Sequence, residues 1–408
     1  MADPEGKLGL VIRSWTAWRQ GALLAAGLWA AGLVFAAAAT PVPPTSPEAR
    51  LIQVYRLVQA GRTREALEQA ESLTRDVPNF QLAQLVYGDL LLVRQKPRAP
   101  AEDLPPAARE QMAQLRREAD QRLAALAERP PSGALPREFV ELPPSSRHAI
   151  AVDASRSRLY LFENGRHGLK LVADHYVSVG RLGVGKQVQG DQRTPLGVYF
   201  ITSRLDPVQL QDFYGAGALP LNYPNEYDRR QGRTGHGIWL HGVPSQNYAR
   251  TPQSTDGCVV LANGDMQQLL RDVSPRTTPV VISQALQWVT PAQAESGRAA
   301  ARHLIEQWRA ARSSGDPRRL LPFYSSQFSA GGADAVDWAR TVEKDLRAAQ
   351  GRATELKDMS ILAWRDKDDL LVVTFGLVLK GQRTGQVKRQ YWGKEGGQWK
   401  IFFEGAIG

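Results

Sequence analysis

A single cysteine, Cys258, stands in 408 residues, within Ser254-Thr255-Asp256-Gly257-Cys258-Val259-Val260-Leu261 and seventeen positions after His241-Gly242. A lone thiol has no internal disulfide partner, so the chemistry open to it is that of a nucleophile or a redox group. Free cysteine is among the most often buried residue types, which makes a small core hydrophobe the competing reading. Gly257 removes bulk beside the sulfur, Thr255 and Asp256 are poor interior strand residues, and the apolar run begins only after the thiol. Cys258 is therefore expected at the mouth of a strand rather than inside one. Gly237-Ile238-Trp239-Leu240-His241-Gly242 reads as a short apolar strand ending in histidine at a glycine turn. A thiol near its ordinary pKa of about 8.5 is only a few per cent thiolate at neutral pH, so covalent catalysis requires an imidazole to take its proton. The two strand ends predict Cys258 as nucleophile and His241 as its proton acceptor and donor.

The His-Gly pair, the interval of seventeen and the Thr-x-Gly-Cys-Val run resemble the L,D-transpeptidase (YkuD-type) catalytic domain. Gly185-Lys186-Gln187-Val188-Gln189-Gly190-Asp191-Gln192-Arg193-Thr194-Pro195-Leu196-Gly197-Val198-Tyr199 is similar to a second segment of that family, in the right order. The resemblance covers residues 146–285. It implies a β-sandwich, a thioester acyl-enzyme on Cys258, and diaminopimelate-containing peptidoglycan stem peptides as substrate. Many members carry Ser three residues before the cysteine and Arg two after it, where this chain has Thr255 and Val260. Valine cannot neutralise a carboxylate, and with Leu219 to Asp228 this leans towards a branch that cuts rather than makes links at diaminopimelate. Backbone N–H groups of Gly257 and Cys258 are the expected oxyanion donors. The resemblance places a backbone carbonyl near Asp256 behind the imidazole, with the Asp256 carboxylate as second choice. Gly242, Thr255, Asp256 and Tyr223 are expected around the substrate. The acyl acceptor is an amine, giving L,D-transpeptidation or attachment of a lipoprotein, or water, giving hydrolysis.

Other residues carry blander readings. His236 would point away from His241's face by strand period, Asp191 and Thr194 would hold a turn ahead of Pro195, and Lys186 is expected in solvent. The remaining histidines show no metal spacing, and neither metal nor cofactor is expected. A papain-like protease usually has its cysteine before its histidine, the reverse of this order. A non-catalytic cell-wall adaptor would not need the Cys-His pair.

The elements that must position this pair sit in a multidomain chain. Formal net charge is +10, but no zinc finger, phosphate loop or dense basic block accompanies it, so nucleic acid is not an expected partner. Residues 1–40 place Lys7, Arg13 and Arg19 before an uncharged Ala/Leu-rich stretch, which reads as a signal peptide or inner-membrane anchor and puts the remainder in the periplasm or cell envelope. Residues 47–130 read as a small all-helical region with tetratricopeptide-like spacing. Within the mainly-β catalytic domain, strands are expected at Ala149 to Val152, Leu159 to Phe162, His175 to Val179, Gly197 to Thr202 and Val280 to Ser283, with a helix at Met266 to Val273. Residues 292–408 open with a helix whose apolar face is Ala300, His303, Leu304, Trp308 and Ala311. Helices at Arg319 to Tyr324 and Trp338 to Ala349 follow, then strands at Ser360 to Arg365, Leu370 to Leu379, Gln386 to Trp392 and Trp399 to Phe403. That order resembles the nuclear-transport-factor-2-like α+β fold and is assigned to binding.

Overall fold

The computed structural model describes residues 46–94, 105–365 and 369–407. The expected leader at residues 1–40 lies outside them, and among the described residues no helix is long and apolar enough to cross a membrane.

The described residues begin with α1 (Pro47–Gln59), α2 (Thr63–Asp76), α3 (Gln81–Arg94) and α4 (Pro106–Ala127). Ser46 caps α1 by accepting the Ala49 N–H at 3.1 Å, with Pro47 in the first turn where its missing donor costs nothing. Leu51, Val54 and Tyr55 of α1, Ala66, Ala70 and Leu73 of α2 and Leu82, Val86 and Leu90 of α3 close one core.

This bundle is tied to the next domain by buried charge. Glu48 Oε1 meets Arg122 at 2.7 Å and Arg158 at 2.8 Å; Arg122 also meets Glu118 at 2.7 Å, and Arg158 meets Asp174 at 2.8 Å. Burial alone would raise the Glu48 pKa, but the two guanidiniums outweigh it and hold the carboxyl down at about 2. The Arg122 guanidinium also lies over the Tyr176 ring at 3.7 Å.

After β1 (Leu135–Pro136) and β2 (Phe139–Glu141) come β3 (His148–Asp153), β4 (Arg158–Gly165), β5 (Gly168–Gly180), β6 (Gly197–Phe200) and β7 (Ala218–Pro220). Then follow α5 (Glu226–Arg230), β8 (Trp239–His241), β9 (Gln253–Thr255), β10 (Val259–Leu261), α6 (Asn263–Asp272), β11 (Pro279–Ser283) and β12 (Trp288–Val289). The expected sandwich takes the form of one strand path, β6-β11-β3-β4-β5-β10-β8-β7, with β9 on β5. Just past its two ends Ile201 bridges Leu221, so the path closes on itself. Residues from both ends, Tyr199 and Leu219, share a core with Ile150, Leu161, Val177, Leu240 and Val259.

The C-terminal domain comprises α7 (Pro291–Ser313), α8 (Pro317–Leu320), α9 (Ala335–Ala349), β13 (Thr354–Arg365), β14 (Asp369–Leu379), β15 (Gln386–Glu395) and β16 (Gln398–Ala406). Three expectations need correction. The buried face of α7 is Ala301, Ile305, Trp308, Ala311 and Arg312, while Ala300 and His303 are exposed, because Ile305 rather than Leu304 fills the space under the sheet. The helix expected to Tyr324 stops at Leu320 and gives way to a single 3-10 turn, Leu321–Phe323, where Pro322 lacks a donor. β13 begins at Thr354, six residues early, with a register shift between Lys357 and Ser360 that breaks the apolar alternation.

β2 lies ahead of the expected boundary at 146, yet it is the edge strand of this last sheet, pairing antiparallel with β13 (Leu362 with Phe139). Phe139, Tyr160, Phe162 and Phe200 share a core with Trp364, Val372, Tyr391 and Phe402. The Arg389 guanidinium lies 3.5 Å over the Phe200 ring, and burial pulls its pKa down to about 10. The central and C-terminal domains therefore share packed surface.

Candidate active site

Val260 of β10 pairs in parallel with His241 of β8. Cys258 stands two residues before Val260, so by strand period the thiol and the imidazole leave one face of the sheet from neighbouring strands. The turn presenting Cys258 requires glycine. Gly257 has φ +125°, and a Cβ there would lie 2.8 Å from the Arg193 carbonyl oxygen and 3.1 Å from Ile238 Cδ1. Thr255 clamps the same turn: its buried hydroxyl donates to the Cys258 carbonyl at 2.7 Å and accepts the Gly257 N–H at 3.1 Å. Behind it, the Gly180 N–H donates to Thr194 Oγ1 at 2.8 Å, and the Asp191 carboxylate accepts the N–H groups of Gln187, Val188 and Arg193. Both act as loop holders, as their residue types predicted.

The Cys258 Sγ donates to the Gly237 carbonyl at 3.4 Å, and the Trp239 N–H bonds to the sulfur. Burial raises the thiol pKa by more than that N–H and the nearby Arg250 charge lower it. His241 is buried, 1% exposed, with Nδ1 2.7 Å from the Gly242 carbonyl. A carbonyl only accepts, so Nδ1 carries the proton and Nε2 is the basic nitrogen. Burial brings the imidazole pKa down to about 4, with the Gly242 carbonyl opposing and the Arg250 charge adding to the fall. At neutral pH both groups are uncharged, so neither a thiolate nor an imidazolium is preformed on this sheet face. Phe213 and Tyr214 flank the ring with centroids at 5.8 and 5.1 Å, and the Tyr214 carbonyl accepts the Gly242 N–H at 3.0 Å.

Several expected site residues do other work. The acceptor behind the imidazole is the carbonyl of the very next residue, Gly242, and not a group at Asp256, whose exposed carboxylate pairs with Arg181 at 3.5 Å. A Cβ at Gly242 would lie 2.2 Å from Asn263 Oδ1, so this glycine serves close packing around the histidine. The Gly257 N–H, expected as an oxyanion donor, is occupied by Thr255 Oγ1, which makes Thr255 a loop clamp. Tyr223 is buried in the domain core and its hydroxyl donates to the Thr234 carbonyl at 3.1 Å. Lys186, expected in solvent, is 3% exposed and bonds Asp191 at 2.7 Å and the Val188 carbonyl at 3.1 Å. His236 lies in an exposed loop before β8, not on the strand.

Sequence reasoning missed Phe213, Tyr214, Asn263 and Arg250. Asn263 Oδ1 accepts from Ala216 and Val243, joining the loop that carries Tyr214 to the residues after His241. The only signal for Tyr214 was an adjacent aromatic pair in a glycine-bounded loop; Arg250 gave none.

Residues 147–282 match the YkuD family model, an L,D-transpeptidase catalytic domain, and residues 300–405 match the Cds6 C-terminal NTF2-like domain. Among solved structures, Bd1075 of Bdellovibrio bacteriovorus is similar at 26% identity and a TM-score of 0.58, over 67% of this chain and 98% of its own. The helical cell shape determining protein Pgp2 of Campylobacter jejuni is similar at 19% identity and a TM-score of 0.53, over 67% of this chain and 94% of its own. A point mutant of Pgp2 gives 18% identity and a TM-score of 0.52, over 74% of this chain and 100% of its own. At those identities the Pgp2 likeness shows the fold alone. No curated protein sequence matches the chain.

Proposed function

The chain joins an L,D-transpeptidase catalytic domain to a C-terminal NTF2-like domain, and from that premise we propose that it remodels peptidoglycan through a thioester on Cys258. His241 Nε2 takes the thiol proton as the sulfur attacks the carbonyl of a diaminopimelate residue in a stem peptide. The C–S bond forms, the C–N bond breaks, and the leaving amine departs with the proton held by His241. The Cys258 N–H is the oxyanion donor in this reading, since the Gly257 N–H is already bonded within the turn. An incoming amine then takes the acyl group, which is L,D-transpeptidation. The observation that carries the reading is a buried imidazole, locked through Nδ1 by its neighbour's carbonyl, on the sheet face that presents the only cysteine.

Water as acceptor is the second reading. It is favoured by Val260, which is buried in β10 and leaves that strand without the guanidinium many family members carry. Export to the periplasm, a lipoprotein as acceptor, and peptide binding by a tetratricopeptide-like helical region belong to the same proposal, on the sequence features given above. A wall-binding adaptor would have no use for the Cys258-His241 pair.

The test is mass spectrometry of diaminopimelate-type muropeptides after incubation with the protein and with Cys258→Ala. New cross-links or exchanged terminal residues are expected, or a released residue if water is the acceptor, and all should vanish in the variant. Products formed equally by Cys258→Ala would sink the proposal.

A further inference from the structure

Arg250 sits in the loop before β9, half-buried, with its guanidinium 4.6 Å over the Phe213 ring, the same ring that flanks His241. Among the described residues it makes no ion pair and no side-chain hydrogen bond, unlike the buried Arg122, Arg158 and Arg233, each of which meets a carboxylate. Its charge acts on Cys258 and Asp256, and Arg181 adds a second positive charge nearby, itself spent on Asp256. Partial burial pulls the guanidinium pKa down, as expected of a cation taken from water without a counter-ion. Arg250 also opens on a cleft of about 360 Å³ between the helical region and residues 247–254. The walls of that cleft carry Gln81, Gln111, Gln114, Asn247, Thr251 and Ser254, amide and hydroxyl groups suited to a peptide backbone.

We infer that Arg250 binds the free carboxylate of the peptide substrate, holding the chain end so that the carbonyl before it faces Cys258. A half-buried guanidinium that makes no ion pair has its charge best satisfied when an anion arrives, and its planar fork matches a carboxylate. The missing guanidinium at Val260 is thus supplied from a different loop. The chemical class selected is a peptide with a terminal carboxylate next to the bond attacked. The inference rests on the acyl-transfer reading for its meaning, but its binding test does not.

The test is calorimetric binding to the Cys258→Ala protein of a diaminopimelate-containing stem tetrapeptide with a free C-terminal carboxylate, and of the same peptide amidated. The acid should bind about 10- to 100-fold more tightly than the amide, the range of one charge-assisted contact. Adding Arg250→Met should abolish that preference and leave the amide's affinity unchanged, and Arg250→Lys should restore part of it. Equal affinities for acid and amide, absence of binding, or a preference that survives Arg250→Met would overturn the assignment. If the preference holds while the unmodified enzyme turns over neither peptide, the acyl-transfer reading fails and the role of Arg250 stands.

Discussion

Replacing His241 with Gln is expected to lower kcat/KM on stem peptides by about 10³-fold, and Cys258→Ala to abolish turnover. Glutamine can still donate to the Gly242 carbonyl but cannot accept the thiol proton, and a positioned general base contributes about 10² to 10⁴ in rate. The thiol should make the loss severe, because burial holds it protonated and in the proposed mechanism Nε2 is what takes its proton. The same electrostatics set the pH profile. His241 must be neutral to act as base, and its pKa is about 4, so the acid limb of kcat/KM should fall near pH 4 rather than near the ordinary imidazole value of about 6.5. An acid limb at 6.5 would show that burial does not depress the imidazole, and a His241→Gln enzyme with undiminished rate would show that His241 is not the base.

Glu48→Ala is expected to destabilise the protein by about 3–5 kcal/mol, the range for removing one partner of a buried ion pair. Arg158 and Arg122 would each lose a bond to the shared carboxylate, and both are buried where the helical region meets the catalytic domain. A thermal midpoint lower by on the order of 10 °C is the corresponding readout. The wild-type contribution has a defined pH window. The folded Glu48 pKa is held at about 2 against an ordinary 4.5, so its stabilisation is fully present above pH 4.5 and is lost as pH falls through about 2. Thermal melts from pH 6 down to pH 2 should therefore bring wild type and Glu48→Ala together at the acid end. A constant gap, or none at pH 6, would contradict the role given to this network. The loss would also reach the cleft on which Arg250 opens, since Glu118 and Gln114 of α4 line it.

Cys258 and His241 stood out as candidates because each sits at the end of a short apolar run bounded by glycine, and because their spacing resembles that of a family. Their support did not. The Gly242 carbonyl that orients His241 is one residue away, yet nothing in the residue types indicates that the ring turns back on its own backbone. Lys186 reads as a solvated cation until the fold buries it against Asp191. Arg250 lies eight residues before Cys258 in a loop without periodicity, and its relation to Phe213 spans thirty-seven positions. The same limit applies to architecture. Long strands such as β4 and β14 announce themselves by runs of apolar residues, whereas the three residues of β2 are too few for a pattern and join a sheet formed more than two hundred positions later. Helical faces repeat locally and were read well, except in α7, where Leu304 and Ile305 are adjacent and only the sheet decides which is buried.

The central claim is that Cys258 becomes acylated by a stem peptide. Intact-protein mass spectrometry of the wild-type, His241→Gln and Cys258→Ala proteins, quenched in acid during incubation with a diaminopimelate-containing stem peptide, tests it directly. A mass increase equal to the acyl part of the peptide is predicted on the wild-type protein, mapping to Cys258 and absent from Cys258→Ala. Turnover without any adduct, or an adduct that persists in Cys258→Ala, would contradict the account.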